Sequence, residues 1–226
     1  MALLGNAALA MWWNMAPEWQ GEFQHWHSHE HFPERLRLPG FHRASRWAAA
    51  DDGRGFFVLY ELAAYDTLVS PAYLERLNAP TPWSRKLMPH HADMVRSQSH
   101  VVHSRGGGIA GHALTLRFSP QPGRGDALRE HLRLLADDLV TRPGVTGAHL
   151  LQTQTPPVAQ TTEQKIRGRD GAADGILFVC GYDAAVLRGL AQSELGAQAL
   201  ADAGAAAGAT AGLYTLSLSM VPGDVA

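Results

Sequence analysis

Residues 37–47 read RLPGFHRASRW, and residues 141–151 read TRPGVTGAHLL. Pro39-Gly40 of the first stretch recurs as Pro143-Gly144, 104 positions later. The same shift takes the strand-like run ALAMWWNM at residues 8–15 onto HALTLRFS at residues 112–119. Recurrence at a fixed spacing is typical of chains built from structural copies. The sequence therefore predicts that one unit occurs twice.

Each copy has the same predicted order of elements. A strand is followed by an amphipathic helix, the Pro-Gly turn, two further strands, a second helical region and a closing strand. This β-α-β-β-α-β order is typical of a ferredoxin-like unit. The predicted segments in the two copies are, in turn, residues 9–15 and 113–119, 19–36 and 125–141, 55–62 and 175–183, 70–78 and 184–204, and 97–104 and 213–221.

The division into domains follows from this repeat. We expect one ferredoxin-like unit in residues 1–105 and a second in residues 112–226, joined by the glycine-rich stretch SRGGGIAG at residues 104–111. Such a unit covers one face of its sheet with helices and leaves the other face bare. Two units in one chain can bury their bare faces against each other. The predicted fold class is therefore α+β, with two four-stranded sheets facing one another.

Three motifs carry a resemblance to a known family: WHSHEHFPERLRLPGF at residues 26–41, YLERLNAPTPWSRKLMPHH at residues 73–91 and TTEQKIRGRD at residues 161–170. They resemble bacterial EthD-like proteins. The element order resembles the dimeric α+β barrel superfamily, which includes muconolactone isomerase, olivetolic acid cyclase and the antibiotic-biosynthesis monooxygenases. The resemblance implies an intrachain dimeric α+β barrel with a small-ligand pocket between the helices and the sheet of one unit. It implies no particular substrate.

Four histidines fall at alternate positions in the stretch QHWHSHEHFPER, residues 24–35. If this stretch is helical, residues four apart share a face, because each residue turns the helix by about 100°. His27 and His31 then lie on the apolar side marked by Phe23 and Trp26, together with Glu30. His25 and His29 point to solvent. We expect the inward pair to form a pocket wall.

Three interpretations of the inward group remain open. The first is acid/base catalysis, in which His27 or His31 is the base, Glu30 orients a ring and Arg35 pairs with Glu30, Glu34 or a substrate anion. The second is a metal site completed by His90 and His91. The third is a pair of buried histidines that only pack. The spacing matches no fixed metal pattern, so we expect no metal.

A proline-rich segment follows the second helical region of the first unit. Its prolines predict a rigid loop that closes the pocket. The candidates to line the pocket there are Tyr73, Asn78, Trp83 and His90. The alternative is a plain connector with a core tryptophan. One of His100 and His103 is also expected to reach the pocket.

The second unit is chemically poorer. Its first helix offers leucines where the first unit has histidines, which indicates a structural partner. The exception is the long segment at residues 152–174, rich in hydrogen-bonding groups. It is either an exposed loop or a lid that crosses to the first unit and delivers Arg167 to an anionic substrate group.

Composition limits the function further. The chain has 226 residues, 46% of them hydrophobic, a net charge of −2 and one cysteine. These values give no indication of nucleic acid or membrane partners, and they favour a reducing cytoplasm. The apolar start lacks the basic region of a signal peptide. No nucleotide-binding or nucleophile motif occurs, so no cofactor is expected.

We therefore expect a cofactor-free enzyme acting on a small aromatic or lactone-like acid by isomerase, cyclase or lyase chemistry. One alternative is a cofactor-free oxygenase in which Trp12, Trp13 and Trp83 hold the substrate. The other is a binding protein without chemistry. A homodimer is possible in each case.

Overall fold

Eight strands close into a barrel in the computed structural model, which describes residues 3–51, 55–107, 109–168 and 170–225. The strands are β1 (Ala7–Asn14), β2 (Phe41–Ala49), β3 (Gly55–Leu62), β4 (Ala92–Gly106), β5 (His112–Phe118), β6 (Val145–Thr153), β7 (Gly175–Gly181) and β8 (Thr210–Met220). The helices are α1 (Pro17–Trp26), α2 (Phe32–Leu36), α3 (Pro71–Asn78), α4 (Pro82–Leu87), α5 (Gly125–Leu139), α6 (Thr162–Arg167), α7 (Ala184–Gln192) and α8 (Ala197–Ala203). None of the helices in these ranges is long and apolar enough to cross a bilayer.

The strand order gives the architecture. The first half is arranged β4-β1-β3-β2 and the second half β8-β5-β7-β6, which is the same order in both. Antiparallel pairing of β2 with β8 and of β4 with β6 joins the two halves. The fold is thus the predicted pair of ferredoxin-like units in one intrachain dimeric α+β barrel. The two sheets do face each other, and they are also hydrogen-bonded along both edges.

Three apolar cores follow from this arrangement. One lies inside the barrel and includes Trp12, Trp47, Phe57 and Phe178. The other two lie outside it, where α1 to α4 cover the first half and α5, α7 and α8 cover the second. Strands β1, β3 and β7 are buried on both faces, which explains why their sequences are nearly continuous apolar runs.

The Pro-Gly motif marks the same turn in both halves. Gly40 and Gly144 have φ values of 88° and 93°, in the left-handed region that favours glycine. A Cβ atom on Gly40 would lie 2.5 Å from the Thr67 hydroxyl oxygen, and one on Gly144 would lie 2.8 Å from Val186. Both conformation and space therefore require glycine at these positions.

The register of the first strands differs from the predicted shift by one residue. Trp12 faces the barrel interior, whereas Leu116, 104 positions later, packs under the helices. Phe41 and Val145, also 104 positions apart, both pack under the helices. After the Pro-Gly turn, residues 104 positions apart therefore lie on the same face of their sheets. In β1 and β5, residues 104 positions apart lie on opposite faces.

Two further segments differ from expectation. Residues 82–87 form α4 rather than a loop, because Thr81 caps the helix by accepting from the Ser84 N–H and Pro82 suits the first helical position. Strand β4 continues to Gly106, into the predicted linker. Gly108 of that linker lies outside the described residues.

Candidate functional site

A small cavity lies between the first-half sheet and the helices that cover it. Its polar lining includes His27, His31, Arg35, Tyr60, Tyr73, His91, Arg96, Glu163 and Arg167. Its apolar lining includes Leu9, Met11, Trp13, Trp26, Phe41, Leu77, Met88 and Met94. The free volume is about 30 Å³, enough for a water-sized molecule. A larger ligand requires part of the wall to move.

His27 and His31 are buried in this wall, whereas His25 and His29 are exposed, as the helical spacing predicts. The buried pair begins and ends a π-helical turn, His27–His31, between α1 and α2. The Phe32 N–H donates to the His27 carbonyl five residues earlier, and Pro33 then has no N–H with which to bond an earlier carbonyl. The turn leaves both rings on the cavity side.

The surroundings keep the buried pair uncharged. Burial lowers the pKa of His27 well below its usual value, and a charge on His31 would lower it further. Burial also lowers the pKa of His31, with the Arg35 guanidinium as the next cause. Both imidazoles are therefore neutral at pH 7. Their Nδ1 atoms are buried without a hydrogen-bond partner.

His91 is the third histidine of the cavity. Its ring lies 5.0 Å from Trp13, and burial lowers its pKa to about 3. Its Nδ1 lies 3.1 Å from the Met88 carbonyl oxygen. Because a carbonyl only accepts, this contact assigns the proton to Nδ1 and leaves Nε2 as an acceptor.

Arg35 is buried and pairs with a residue from the other half. Its Nη2 donates to Glu163 Oε1 at 2.5 Å. Burial disfavours the guanidinium charge more than any single neighbour favours it, but the Glu163 carboxylate together with Tyr73, Tyr60 and Glu34 outweighs burial and raises the pKa of Arg35. The expected partners, Glu30 and Glu34, are therefore not the ones observed. Sequence reasoning missed Glu163 as a pocket residue because nothing local marks it as buried.

Glu163 lies on the segment between β6 and β7, residues 154–174, which we call the strap; Arg169 is outside its described part. The strap crosses to the first half. Thr162 donates its N–H to Asn78 Oδ1 at 3.0 Å, and Gly171 exchanges backbone hydrogen bonds with β4. Arg167 lines the cavity and pairs with Asp170 at 3.1 Å and with Glu163 at 3.7 Å. Of the two alternatives for this segment, the one in which it crosses to the first unit is observed.

The cavity is rich in hydrogen-bond donors without acceptors. Besides the histidines, the buried lining atoms that have no partner are Trp13 Nε1, Arg35 Nη1, Tyr60 Oη and Arg167 Nε. Burial raises the pKa of Tyr60, so its hydroxyl stays protonated. Tyr73, also in the wall, accepts from Arg96 at 3.0 Å. Buried donors of this kind are normally paired, so they favour a ligand that brings acceptor oxygens.

Glu30 does not meet the expectation that it orients a histidine ring. Its Oε1 accepts from the Trp26 indole N–H at 3.0 Å and from the Thr81 hydroxyl at 2.6 Å. No hydrogen bond joins it to His27 or His31 in the described structure. The Trp26 indole, one helical turn earlier, and the Thr81 hydroxyl, at the cap of α4, donate to the Glu30 carboxylate instead.

Three more candidates lie outside the cavity lining. Asn78 is exposed and anchors the strap, and Trp83 donates to Glu22 on the outer side of α1. His90 stacks on Trp19 with centroids 3.9 Å apart, so its neighbour His91 takes the inward position. In a 3₁₀ turn, Met88–His90, the sequence alone does not decide which of the two adjacent histidines faces inward.

The strand histidines also point elsewhere. His100 bonds to Gln154 at 2.9 Å, and His103 bonds to Asp137 at 2.8 Å. Neither lines the cavity, which corrects the expectation for one of them. Within the described ranges, no group of three or more His, Cys, Asp or Glu side chains is arranged to hold a metal ion.

The corresponding space in the second half is filled by aliphatic side chains, including Leu128, Leu132 and Ala136 of α5. A larger groove of about 230 Å³ lies beside the start of α5. No histidine lines it, and none of its described lining residues has a buried polar atom without a partner. The titratable groups are thus concentrated in the smaller, first-half cavity.

Comparison with known proteins identifies the fold only. No family model matches the sequence, and no curated protein matches it. The crystal structure of an anthrone oxidase-like protein superposes with a TM-score of 0.68 and 15% identity, over 99% of this chain and 96% of the other. A candidate monooxygenase from Fusobacterium nucleatum subsp. nucleatum superposes with a TM-score of 0.62 and 8% identity, over 97% of this chain and 96% of the other. Another candidate monooxygenase, from Lactobacillus acidophilus, superposes with a TM-score of 0.58 and 6% identity, over 97% of each chain.

These likenesses extend over nearly the whole chain and support the dimeric α+β barrel. None of the three proteins is described as EthD-like, so that closer resemblance stays a prediction.

Proposed function

We propose that this protein is an enzyme that removes a proton from a small aromatic or lactone-like acid bound in the first-half cavity. Isomerisation, cyclisation or loss of a small fragment would follow. The observation that carries the proposal is the pair of neutral, stacked imidazoles, His27 and His31, in a cavity whose other polar groups are mostly donors. No cofactor is needed for such a step.

The proposed roles follow from the surroundings of each group. A neutral imidazole with an unpartnered Nδ1 can accept a proton from the substrate. Tyr60 and Arg35 would donate to substrate oxygens and stabilise the negative charge that develops on them. Arg167 would act as a charge clamp that binds an anionic group of the substrate. The apolar walls exclude water, which strengthens these interactions.

The lowered pKa values make His27 and His31 weak bases, so they suit a substrate whose C–H or O–H bond is already acidic. An anionic ligand would also raise the pKa of a neighbouring imidazole, because the opposite charge favours the protonated ring. The substrate would thus strengthen the base that acts on it.

Glu30 has a positioning role in this proposal. Because it binds Trp26 and Thr81 together, it ties the cavity wall to the cap of α4. Of the other candidates, Tyr73 would contact the substrate. Asn78, Trp83 and His90 would act only through the segments that they hold.

We also propose a division of labour between the halves. Residues 1–105 would supply the base and the pocket. Residues 112–226 would complete the barrel and contribute the strap with Glu163 and Arg167. The leucine and alanine side chains that fill the matching space in the second half support this division.

A second candidate is a cofactor-free oxygenase, in which the deprotonated substrate reacts with O₂. Trp13 and Trp26 line the cavity and would flank an aromatic substrate, whereas Trp12 lies inside the barrel and Trp83 outside the pocket. The descriptions of the solved neighbours as anthrone oxidase-like and as candidate monooxygenases favour this alternative.

One experiment tests both candidates. The substrate is an anthrone with a ring carboxylate, whose ring CH₂ is acidic. Its exchange with D₂O is followed by NMR under argon, and O₂ uptake is followed in air. Accelerated exchange without uptake supports the first candidate, and exchange with uptake supports the oxygenase. If the anthrone binds without accelerated exchange and without O₂ uptake, the protein only binds its ligand.

A further inference from the structure

The first-half cavity, with a free volume of about 30 Å³, must widen before it can hold a ligand larger than water. The sheet and the helices α1 to α3 form most of its wall, and these elements belong to the packed first-half core. The strap is different, because its helix α6 has six residues and offers one apolar side chain, Ile166, to the first-half core, beside a few hydrogen bonds and one buried ion pair. The strap is therefore the part of the wall that is easiest to displace.

Displacing the strap has an electrostatic consequence for Arg35. Within the described residues, Glu163 is its ion-pair partner, and both side chains are 3% exposed. Withdrawing Glu163 alone would leave a buried guanidinium without a counter-charge, which is strongly unfavourable. A neutral ligand cannot compensate for this loss, but a carboxylate can.

We propose that Glu163 occupies the position of the ligand's carboxylate, so that the strap opens when a small monocarboxylate replaces Glu163 on Arg35. This inference rests on the proposed function, since it takes the first-half cavity to be the ligand site. It names the ligand class and identifies Glu163 as an internal competitor that excludes neutral molecules.

The unpartnered donors support this exchange. Glu163 uses Arg35 Nη2 but leaves Nη1 without a partner, and it lies 3.7 Å from Arg167 without bonding its Nε. Tyr60 Oη, in the same wall, has no partner either. A ligand carboxylate has acceptor positions on two oxygens and is not tied to a backbone. It can therefore satisfy donors that the Glu163 side chain leaves unpaired.

A surface pocket beside the strap offers a route by which a ligand could reach the cavity. This pocket, of about 150 Å³, is lined by Arg96, Gln164 and Asp170, among others, and Arg96 also lines the first-half cavity. Arg96 donates to the Tyr73 hydroxyl and has no carboxylate partner among the described residues. An arriving carboxylate would meet this cation first, next to the Arg167–Asp170 pair that it has to pass.

Calorimetric titration with benzoate and with neutral benzamide tests the proposal on the full chain. Glu163→Gln keeps the size of the side chain but weakens its hold on Arg35. We expect benzoate to bind this variant about tenfold or more tightly than wild type, because the competent open state is more populated. Benzamide should gain nothing. The matched control is Glu194→Gln, at a surface pair with Arg142, which should bind both probes as wild type does.

Equal or weaker benzoate binding by Glu163→Gln would overturn the proposal, as would an equal gain for benzamide. If Glu163→Gln does not fold, Asn78→Ala provides the test, since it loosens α6 while all the charges stay in place. Tighter benzoate binding is expected for it, and unchanged binding would overturn the proposal.

Benzoate has no acidic C–H bond, so these results do not depend on turnover. If benzoate displaces Glu163 in this way but no substrate ever exchanges a proton, only the proposed function fails.

Discussion

The rings of His27 and His31 stack with their centroids 5.2 Å apart and 21° between their planes. Two buried imidazoles this close are not both positively charged at neutral pH, since a charge on one lowers the pKa of the other. The π-helical turn that carries them ends where Pro33 follows. The pair can therefore accept one proton from a ligand.

Stability should fall on mild acidification. Buried His91 has a pKa of about 3 in the folded protein against 6.5 ordinarily, and the pKa values of His27 and His31 are lowered too. Between these limits the unfolded chain binds more protons, so lowering the pH favours unfolding. Each histidine should lower the unfolding free energy by about 1.4 kcal/mol for every pH unit of acidification in this window. Above about pH 6.5 the full stability should be present. Urea unfolding at several pH values measures this dependence.

The variant His91→Gln gives the control for the pH effect. Its unfolding free energy should depend less steeply on pH between about 4 and 6 than that of wild type, because one titrating group is gone. A slope identical to that of wild type would show that His91 titrates normally in the folded protein. His149, buried in the barrel with a pKa of about 3, should keep part of the slope in both proteins.

Arg167→Ala should impair binding more than chemistry. The side chain lines the cavity from the strap and supplies charge rather than a proton acceptor. We expect KM to rise about tenfold and kcat to change by less than about threefold, as for the loss of a contact made equally in ground and transition states. Lys165→Ala, on the exposed side of the same helix, should alter neither. A kcat that collapses while KM is unchanged would rule out the clamp role.

The buried ion pair should dominate the stability of the strap. Glu163→Ala leaves the Arg35 guanidinium unpaired, so the unfolding free energy should drop by about 3–5 kcal/mol. Glu194→Ala, which breaks an exposed pair with Arg142, should change it far less because solvent screens that pair. Chemical denaturation of the two variants makes the comparison, and equal losses would argue against a special role for the buried pair.

A tightly bound transition metal is not expected. The three cavity histidines lie among aromatic rings, and within the described ranges no carboxylate joins them in a ligand set. Elemental analysis of untagged protein should give well under one equivalent, and chelation should leave the melting temperature unchanged. The exposed His25 and His29 rings are 4.6 Å apart and can hold traces of metal. One equivalent retained by the His25→Gln/His29→Gln variant would contradict the prediction.

The sequence predicts the inward histidines because helical spacing is local, and it predicts the fold because the two halves repeat the same order of local elements. The Pro-Gly turn requires glycine at Gly40 and Gly144. His27 and His31 are four residues apart, and both are buried even though the turn between them is π-helical. Glu163 could not be predicted in the same way, since its partner Arg35 is 128 residues away in the chain. Contacts at that separation depend on how two halves pack.

The predictions that Glu30 orients a histidine ring and that His90 lines the pocket were wrong for a different reason. Several partners lie within reach of Glu30, and the Trp26 indole and the Thr81 hydroxyl took the place of a histidine ring. His90 ends a 3₁₀ turn and His91 follows it directly, so the local sequence does not decide which of the two rings faces the cavity. Side-chain direction at such positions is decided by tertiary packing.

Deuterium exchange at the acidic ring CH₂ of a carboxylated anthrone, under argon, tests the role of His27 and His31 most directly. We expect wild type and the exposed-pair variant His25→Gln/His29→Gln to exchange at the same rate, well above that of buffer. The inner-pair variant His27→Gln/His31→Gln should exchange about 100-fold more slowly, with its melting transition still cooperative. Exchange by the folded inner-pair variant as fast as by wild type would contradict a catalytic role for the two histidines.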